Sequence, residues 1–296
     1  MPRDYTLQQL AHWCGIPADD LAAHADLKVP FRLAADSARM GEMMARELIA
    51  AVTWHNELGE PTHAIVPCGP MCWYEPFRRI VNAEHVSLAD LHVYHMDECL
   101  DWQGRLLPKG HPYNFRSTME RVFYAGIDEE LAVPRDQRHF PTPRNIDRLC
   151  AEIAGLEIDL ALGGWGQDGH VAYNQSPRDP YSQISAAELA ASTGRVQVNN
   201  EDTIIALAQR TFGGAYQFVP PMSVTLGMAE CLSAKKVRLF SDTGAWKQTA
   251  LRMALFGPIT PEYPITLLQK HPDASLTATR ETAGHPIAEH PEWKLF

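Results

Sequence analysis

The feature that most limits what this chain can fold into is a set of short, nearly continuous apolar runs that stop abruptly at glycine, proline or carboxylate. THAIVPCG (62–69), LHVYHMDE (91–98), LEIDLALGG (156–164) and KKVRLFSD (235–242) share this form. A strand with apolar side chains on both sides must be covered on both sides, as in a parallel sheet packed between helices. Helical patterns separate the runs. Residues 36–57 place Met40, Met43, Met44, Leu48 and Val52 at helical spacing. Further helices are expected over 71–82, from Pro112 to about Phe123, over 222–231, and from Gly244 to Leu255. RVQVN (195–199) and SLTATRE (275–281) read as short strands, and the tail after Gly284 as irregular. The expected fold class is therefore α/β: a doubly wound, mainly parallel sheet with helices on both faces. Residues 1–34 read as a helical N-terminal extension and 35–296 as the α/β domain.

The 296 residues carry 36 acidic against 26 basic side chains, a formal net charge of −10. That balance argues against a general nucleic-acid binder, which needs a basic footprint. It leaves room for an anionic small molecule, because a few N–H groups and two or three cations hold a phosphate. TLQQLAHWCGIPADDLAAH has a helix-turn-helix look. Its surroundings carry Asp4, Asp19, Asp20 and Asp26 against Arg3 and Lys28, so a helical decoration is preferred over a DNA reader. The six cysteines show no framework spacing, and Cys68 and Cys72 lack a second pair for zinc. No run approaches membrane-span length, and MPRDYTLQQLAHWCG lacks the pattern of a signal peptide. Together these suggest a cytoplasmic protein with reduced thiols. Self-association into a homo-oligomer is left open.

Ligands of open parallel sheets sit at the carboxyl ends of the strands, so residues just after the apolar runs carry the chemistry. After the third run comes GGWGQDGHVAYNQ. Gly164, Gly166 and Gly169 match the spacing of a dinucleotide fingerprint, but Pro177 and Pro180 follow where a helix would have to open, which discounts it. What remains is a tight glycine loop presenting Asp168 and His170. If extended, the two face the same side. A carboxylate beside an imidazole orients it and favours its protonated form, which suits proton transfer at a sugar ring oxygen. The alternative is a turn in which Asp168 merely caps backbone N–H groups. The second run ends in Asp97 and Glu98. Carboxylates at the end of an apolar strand are costly unless used, so Asp97 is a candidate base for a proton next to a carbonyl. His92 and His95 point to opposite faces and read as packing. The first run ends in Cys68-Gly69-Pro70, a strand–helix junction whose N–H groups could hold an anion.

Together these segments resemble one family. HMDECLDWQGRLLPKGHPYNFRSTMERVFY is similar to the MDE segment of glucosamine-6-phosphate deaminase/isomerase, and GGWGQDGHVAYNQSP to its glycine–Asp–Gly–His loop. The order also agrees, over roughly residues 35–270. A related branch on the same Rossmann-like fold is 6-phosphogluconolactonase; Tyr173-Asn174 and the MDE strand fit the deaminase branch better. The resemblance implies that His170, oriented by Asp168, passes a proton to the ring oxygen. Asp97 then moves a proton between C2 and C1, and ammonia leaves as a ketose phosphate forms, with no cofactor and no metal. It implies a phosphate held near Gly69 by Arg210 and Lys247. It also implies substrate contacts from Cys68, Glu98, Gly166, Gly169 and Arg195.

The chain departs from the family pattern in three places. Gln175 stands where the family has Glu, and an amide cannot accept a proton. Cys68, Pro70 and Met71 replace the hydroxyls of the phosphate loop, and Pro70 offers no N–H. Gln197 replaces a lysine two residues after Arg195. The expected activity is an amino-sugar-phosphate isomerase/deaminase. The alternatives are a related sugar-phosphate isomerase or lactonase, or a weakly catalytic sugar-phosphate-binding regulator.

Overall fold

The structure, a computed structural model, describes residues 4–179 and 181–296. The strands are β1 (Phe31–Ala34), β2 (Thr62–Val66), β3 (Leu91–His95), β4 (Asp97–Leu100), β5 (Arg138–His139), β6 (Leu160–Gly163), β7 (Arg195–Val198), β8 (Met222–Thr225), β9 (Lys236–Ser241) and β10 (Ala274–Thr279). Seven of them form one sheet in the order β1-β10-β9-β6-β2-β3-β5, and every neighbouring pair is parallel. The helices are α1 (Leu7–Cys14), α2 (Ala18–Leu21), α3 (Ser37–Leu58), α4 (Tyr74–Glu84), α5 (Phe115–Thr118), α6 (Ile146–Ala154), α7 (Ala186–Ala190), α8 (Glu201–Phe212), α9 (Met228–Leu232), α10 (Gln248–Phe256), α11 (Arg280–Ala283) and α12 (Pro286–Glu289).

Alternate residues of one strand enter different cores, which is what makes its sequence apolar throughout. On β2, Ile65 belongs to the same core as Leu149 of α6 and Leu251 of α10. Its neighbours Ala64 and Val66 pack with Met40, Met44 and Leu48 of α3 and Phe77 of α4. The Met stripe of α3 is thus core. Asp36 caps that helix through Arg39 N–H at 2.7 Å, and Gly59, at φ 68°, ends it.

Four expectations change. The tail after Gly284 is not wholly irregular, since Pro286–Glu289 forms α12 with Pro at its first turn. LHVYHMDE is two strands: the chain leaves the parallel sheet at Met96, and Asp97–Leu100 pairs antiparallel with β8 in a separate sheet of order β4-β8-β7. Met96 joins the two, its N–H donating to Val66 O and its carbonyl accepting from Leu226 N. Residues 222–231 begin as strand β8 and become helical only at Met228, because Val224 and Thr225 are paired on both sides by β4 and β7. The segment from Pro112 turns helical only at Phe115, and Met119–Tyr124 continues as a π-type turn.

The N-terminal extension is woven into the domain. β1 supplies the edge strand beside β10, and α1 packs on α10 and α12. The second helix is a single acidic turn whose Asp19 is tied to Arg280. Among the described residues no helix is long and apolar enough to cross a membrane.

Candidate active site

The carboxyl ends of β9, β6, β2 and β3, together with the short β5, open into one cavity of about 1330 Å3. Cys68, Gly69, Asp97, Glu98, His170, Arg210 and Lys247 all line it. Asp97 and His170, 73 positions apart in sequence, therefore face a common space.

His170 is positioned by a turn rather than by an extended strand. Gly169 sits at φ 74°, and Gly166 N–H donates to the His170 carbonyl at 3.0 Å. A side chain on Gly166 would fall on the His170 ring, and one on Gly169 would meet Ile265 at 2.9 Å. These glycines shape the loop from behind and do not line the cavity. The His170 Nδ1 pairs with Asp168 Oδ1 at 2.6 Å, and the ring stacks on Tyr173 with centroids 5.6 Å apart. Nε2 makes no hydrogen bond among the described residues, which leaves it for a ligand. Asp168 is 4% exposed. Burial alone would raise its carboxyl, but the His170 charge and hydrogen bonds outweigh this and hold it below its ordinary value.

Gln175 closes the group from behind. Its Nε2 lies 3.2 Å from Asp168 Oδ2 and donates to Thr203 Oγ1, while its Oε1 accepts from Asn200 N–H at 3.0 Å. The amide thus spans the glycine loop and the start of α8 and carries no charge into the site.

Asp97 keeps part of its surface open to the cavity, yet burial followed by the neighbouring Glu98 raises it to about 7, with His170 partly opposing. A carboxylate with that value exchanges protons readily at neutral pH. Glu98 differs. It was expected at the substrate, but its two oxygens accept from Phe115 N–H at 2.7 Å, Arg116 N–H at 2.8 Å and Cys99 N–H at 3.1 Å. It anchors the first turn of α5, and beside Asp97 it acts as a fixed neighbouring charge.

The end of the cavity expected to take an anion lies after β9. Lys247, half-buried, is lowered to about 7 by burial and then by Arg210, with Asp242 opposing. Arg210 and Lys247 lie 5.8 Å and 5.7 Å from the Trp246 ring centroid. Above Gly69 a side chain would meet nothing within 4 Å, so its backbone can be approached closely. Arg195 does not reach the cavity. Its Nη1 donates to Asn174 Oδ1 at 3.0 Å and Thr193 O at 3.3 Å, bracing the glycine loop from beneath. Gln197 donates to the Tyr173 carbonyl on the same side. His92 and His95 fall in separate surroundings, His92 3.3 Å from His139 and His95 2.9 Å from the Tyr124 hydroxyl, as packing groups do.

One flank of the cavity has no counterpart in the sequence reading. Lys109, Arg116, Arg121, Arg135 and Thr142 line it beside β5. A strand of two residues has no periodicity to show, and the helix expected from Pro112 to about Phe123, which carries Arg116 and Arg121, gives no sign of facing the cavity.

With this geometry in place, known proteins can be compared. No family model matches the chain. It is 33% identical over 226 residues to a glucosamine-6-phosphate deaminase of Parabacteroides distasonis, covering 73% of each chain. The match to that of Aeromonas salmonicida is 31% over 223 residues, or 73% of this chain and 74% of the relative. The chain belongs to the glucosamine-6-phosphate deaminase family. Among solved structures, a monomeric glucosamine-6-phosphate deaminase superposes with a TM-score of 0.71 at 20% identity, over 86% of this chain and 98% of the other. The 6-phosphogluconolactonase of Trypanosoma brucei follows the same fold with a TM-score of 0.61 at 16% identity, over 87% and 98%. The family's enzymes and the fold thus agree with the α/β architecture described above.

Proposed function

We propose that this enzyme converts an amino-sugar phosphate to a ketose phosphate with release of ammonia. The observation that carries the reading is the shared cavity: a carboxylate raised to about 7 on one side and a carboxylate-held imidazole on the other. With the sugar's phosphate against Arg210, Lys247 and Gly69, the His170 Nε2 gives a proton to the ring oxygen as the C1–O5 bond breaks and takes up the proton that the C1 hydroxyl loses. Asp97 removes the C2 proton while His170 returns its proton to O1, giving an enolamine; Asp97 then delivers its proton to C1, leaving an iminium at C2. Water adds to that iminium, its proton passes to His170, and ammonia leaves. Asp168 stabilises the protonated imidazole and fixes which nitrogen faces the sugar. The sequence consists of one ring-bond cleavage, proton transfers, a hydration and loss of ammonia, and the named side chains account for each proton moved.

A lactonase shares the fold but needs no base over C2. Asp97 raised towards neutrality favours the deaminase reading. Residues 1–34 are read as a structural extension of the domain and not as a DNA-binding unit. The experiment is ammonia release from glucosamine 6-phosphate, coupled to detection of the ketose, with 6-phosphogluconolactone offered in parallel. Lactone hydrolysis without ammonia release would overturn the assignment.

A further inference from the structure

The strand order sets distances along the cleft. Lys247 follows β9, His170 follows β6, Asp97 follows β3, and Phe140 to Thr142 follow β5. Neighbouring strands stand about 4.8 Å apart, so the β9 and β5 ends are separated by four spacings, roughly 19 Å. Asp97 lies one strand from the β5 end and three from the phosphate end. The cavity's volume, about 1330 Å3, exceeds the roughly 300–1,000 Å3 usual for sites of small ligands.

The far flank is basic. Lys109, Arg116, Arg121 and Arg135 line the same cavity and are exposed. Among the described residues none of the four has a carboxylate partner within ion-pair distance. Elsewhere the arginines are commonly paired, as in Arg46–Glu84, Arg178–Asp202 and Arg280–Asp19. Glu120, the acidic side chain on this flank, is already taken by Arg138 at 2.9 Å. Arg116 is laid over the Phe140 ring at 5.0 Å, which holds it at the rim. In a chain with 36 acidic and 26 basic residues, four cations without counterions around one concavity focus a positive potential there.

We propose that the β5 flank is a second anion subsite and that the substrate is an amino-sugar phosphate carrying an additional acidic substituent. This rests on the deaminase reading, and the chemistry then fixes where the substituent sits. The C1 oxygen must be free for the ring to open, and the nitrogen must be unsubstituted to leave as ammonia. O5 closes the ring and C6 carries the phosphate. The oxygens at C3 and C4 remain; C3 is bonded directly to C2, the carbon over Asp97, one strand from the basic flank, and C4 lies one carbon further along.

Calorimetric titration with two probes tests this: glucosamine 6-phosphate and its 3-O-carboxyethyl ether. The native enzyme is expected to bind the ether about tenfold more tightly, the size of one charge-assisted contact. In the Arg121→Ala/Arg135→Ala variant the two affinities should converge. Arg144→Ala, exposed nearby but outside the cavity, should retain the preference. Equal affinities in the native enzyme, no binding of either probe, or a preference that survives the double substitution overturns the subsite. Ammonia release is scored separately: a binding preference without ammonia release leaves the subsite standing and removes the deaminase reading.

Discussion

At the centre of the cleft, Asp168, His170 and Gln175 are tied to one another and to Thr203 and Asn200, and only the His170 Nε2 is left over. At the two ends of the cleft the opposite holds. Lys247 after β9 with Arg210 of α8, and Arg121 and Arg135 beside β5, have no carboxylate partner among the described residues. The difference separates two kinds of work. The centre must hold a proton donor in one orientation before the sugar arrives, so the protein completes that network itself. On the proposed reading the ends gain their counterion from the ligand, and their charge is kept for binding.

The comparison breaks most readily at Asp97. Asp97→Asn should lower kcat by about two to four powers of ten, the range for a lost general base, while KM for glucosamine 6-phosphate changes little. A kcat near the native value, read by ammonia release, would remove Asp97 from its role. Lys247→Ala probes the other class of residue. Loss of one charge-assisted contact should raise KM by about tenfold to a hundredfold with kcat affected far less. A fall in kcat at constant KM would place Lys247 with the chemistry instead.

The pH profile sharpens the same division. Asp97 must be ionised to act as a base, so activity rises with pH through about 7. Lys247 must be protonated to hold a phosphate, and in the free enzyme it loses its proton as pH rises through about 7. The profile of kcat/KM, which reports the free enzyme, is therefore expected to be bell-shaped around neutrality. The alkaline limb should be displaced to higher pH in the profile of kcat, because bound phosphate retains the lysine's proton and only the imidazole acid is left to limit it. An alkaline limb at the same pH in kcat would count against this. The smallest effect is expected at Gln175→Glu. A carboxylate there makes His170 more basic, and ring opening should quicken by about a few-fold if the amide limits it. An unchanged or slower rate would mean that Gln175 serves this site as well as Glu.

The legible parts of the chain were those whose function coincides with a local pattern. β2, β3, β6 and β9 are apolar on both sides because Ile65 and Val66 enter different cores, and the glycine loop announces itself because a side chain on Gly166 would displace His170. Asp168 and His170 were expected together, although it is a turn and not an extended segment that brings them into contact. The parts that misled depend on partners distant in the chain. Met222–Thr225 resembles a helix start until β4 and β7 claim both its edges. Glu98 resembles a ligand until Phe115 and Arg116, 17 and 18 residues later, occupy its oxygens. Arg195 was expected at the substrate and braces Asn174 instead.

The segment from Ile16 to Lys28 is tied to the helix that follows Lys247. Arg252, buried in α10, donates to the Ile16 carbonyl, and Lys28 reaches Leu255 and Gly257 at the other end of the same helix. Lys247 is the residue immediately before that helix. On the proposed reading, where Lys247 holds the phosphate, this segment braces the helix that carries it. Trimming it would slacken the grip on substrate without touching a reacting atom.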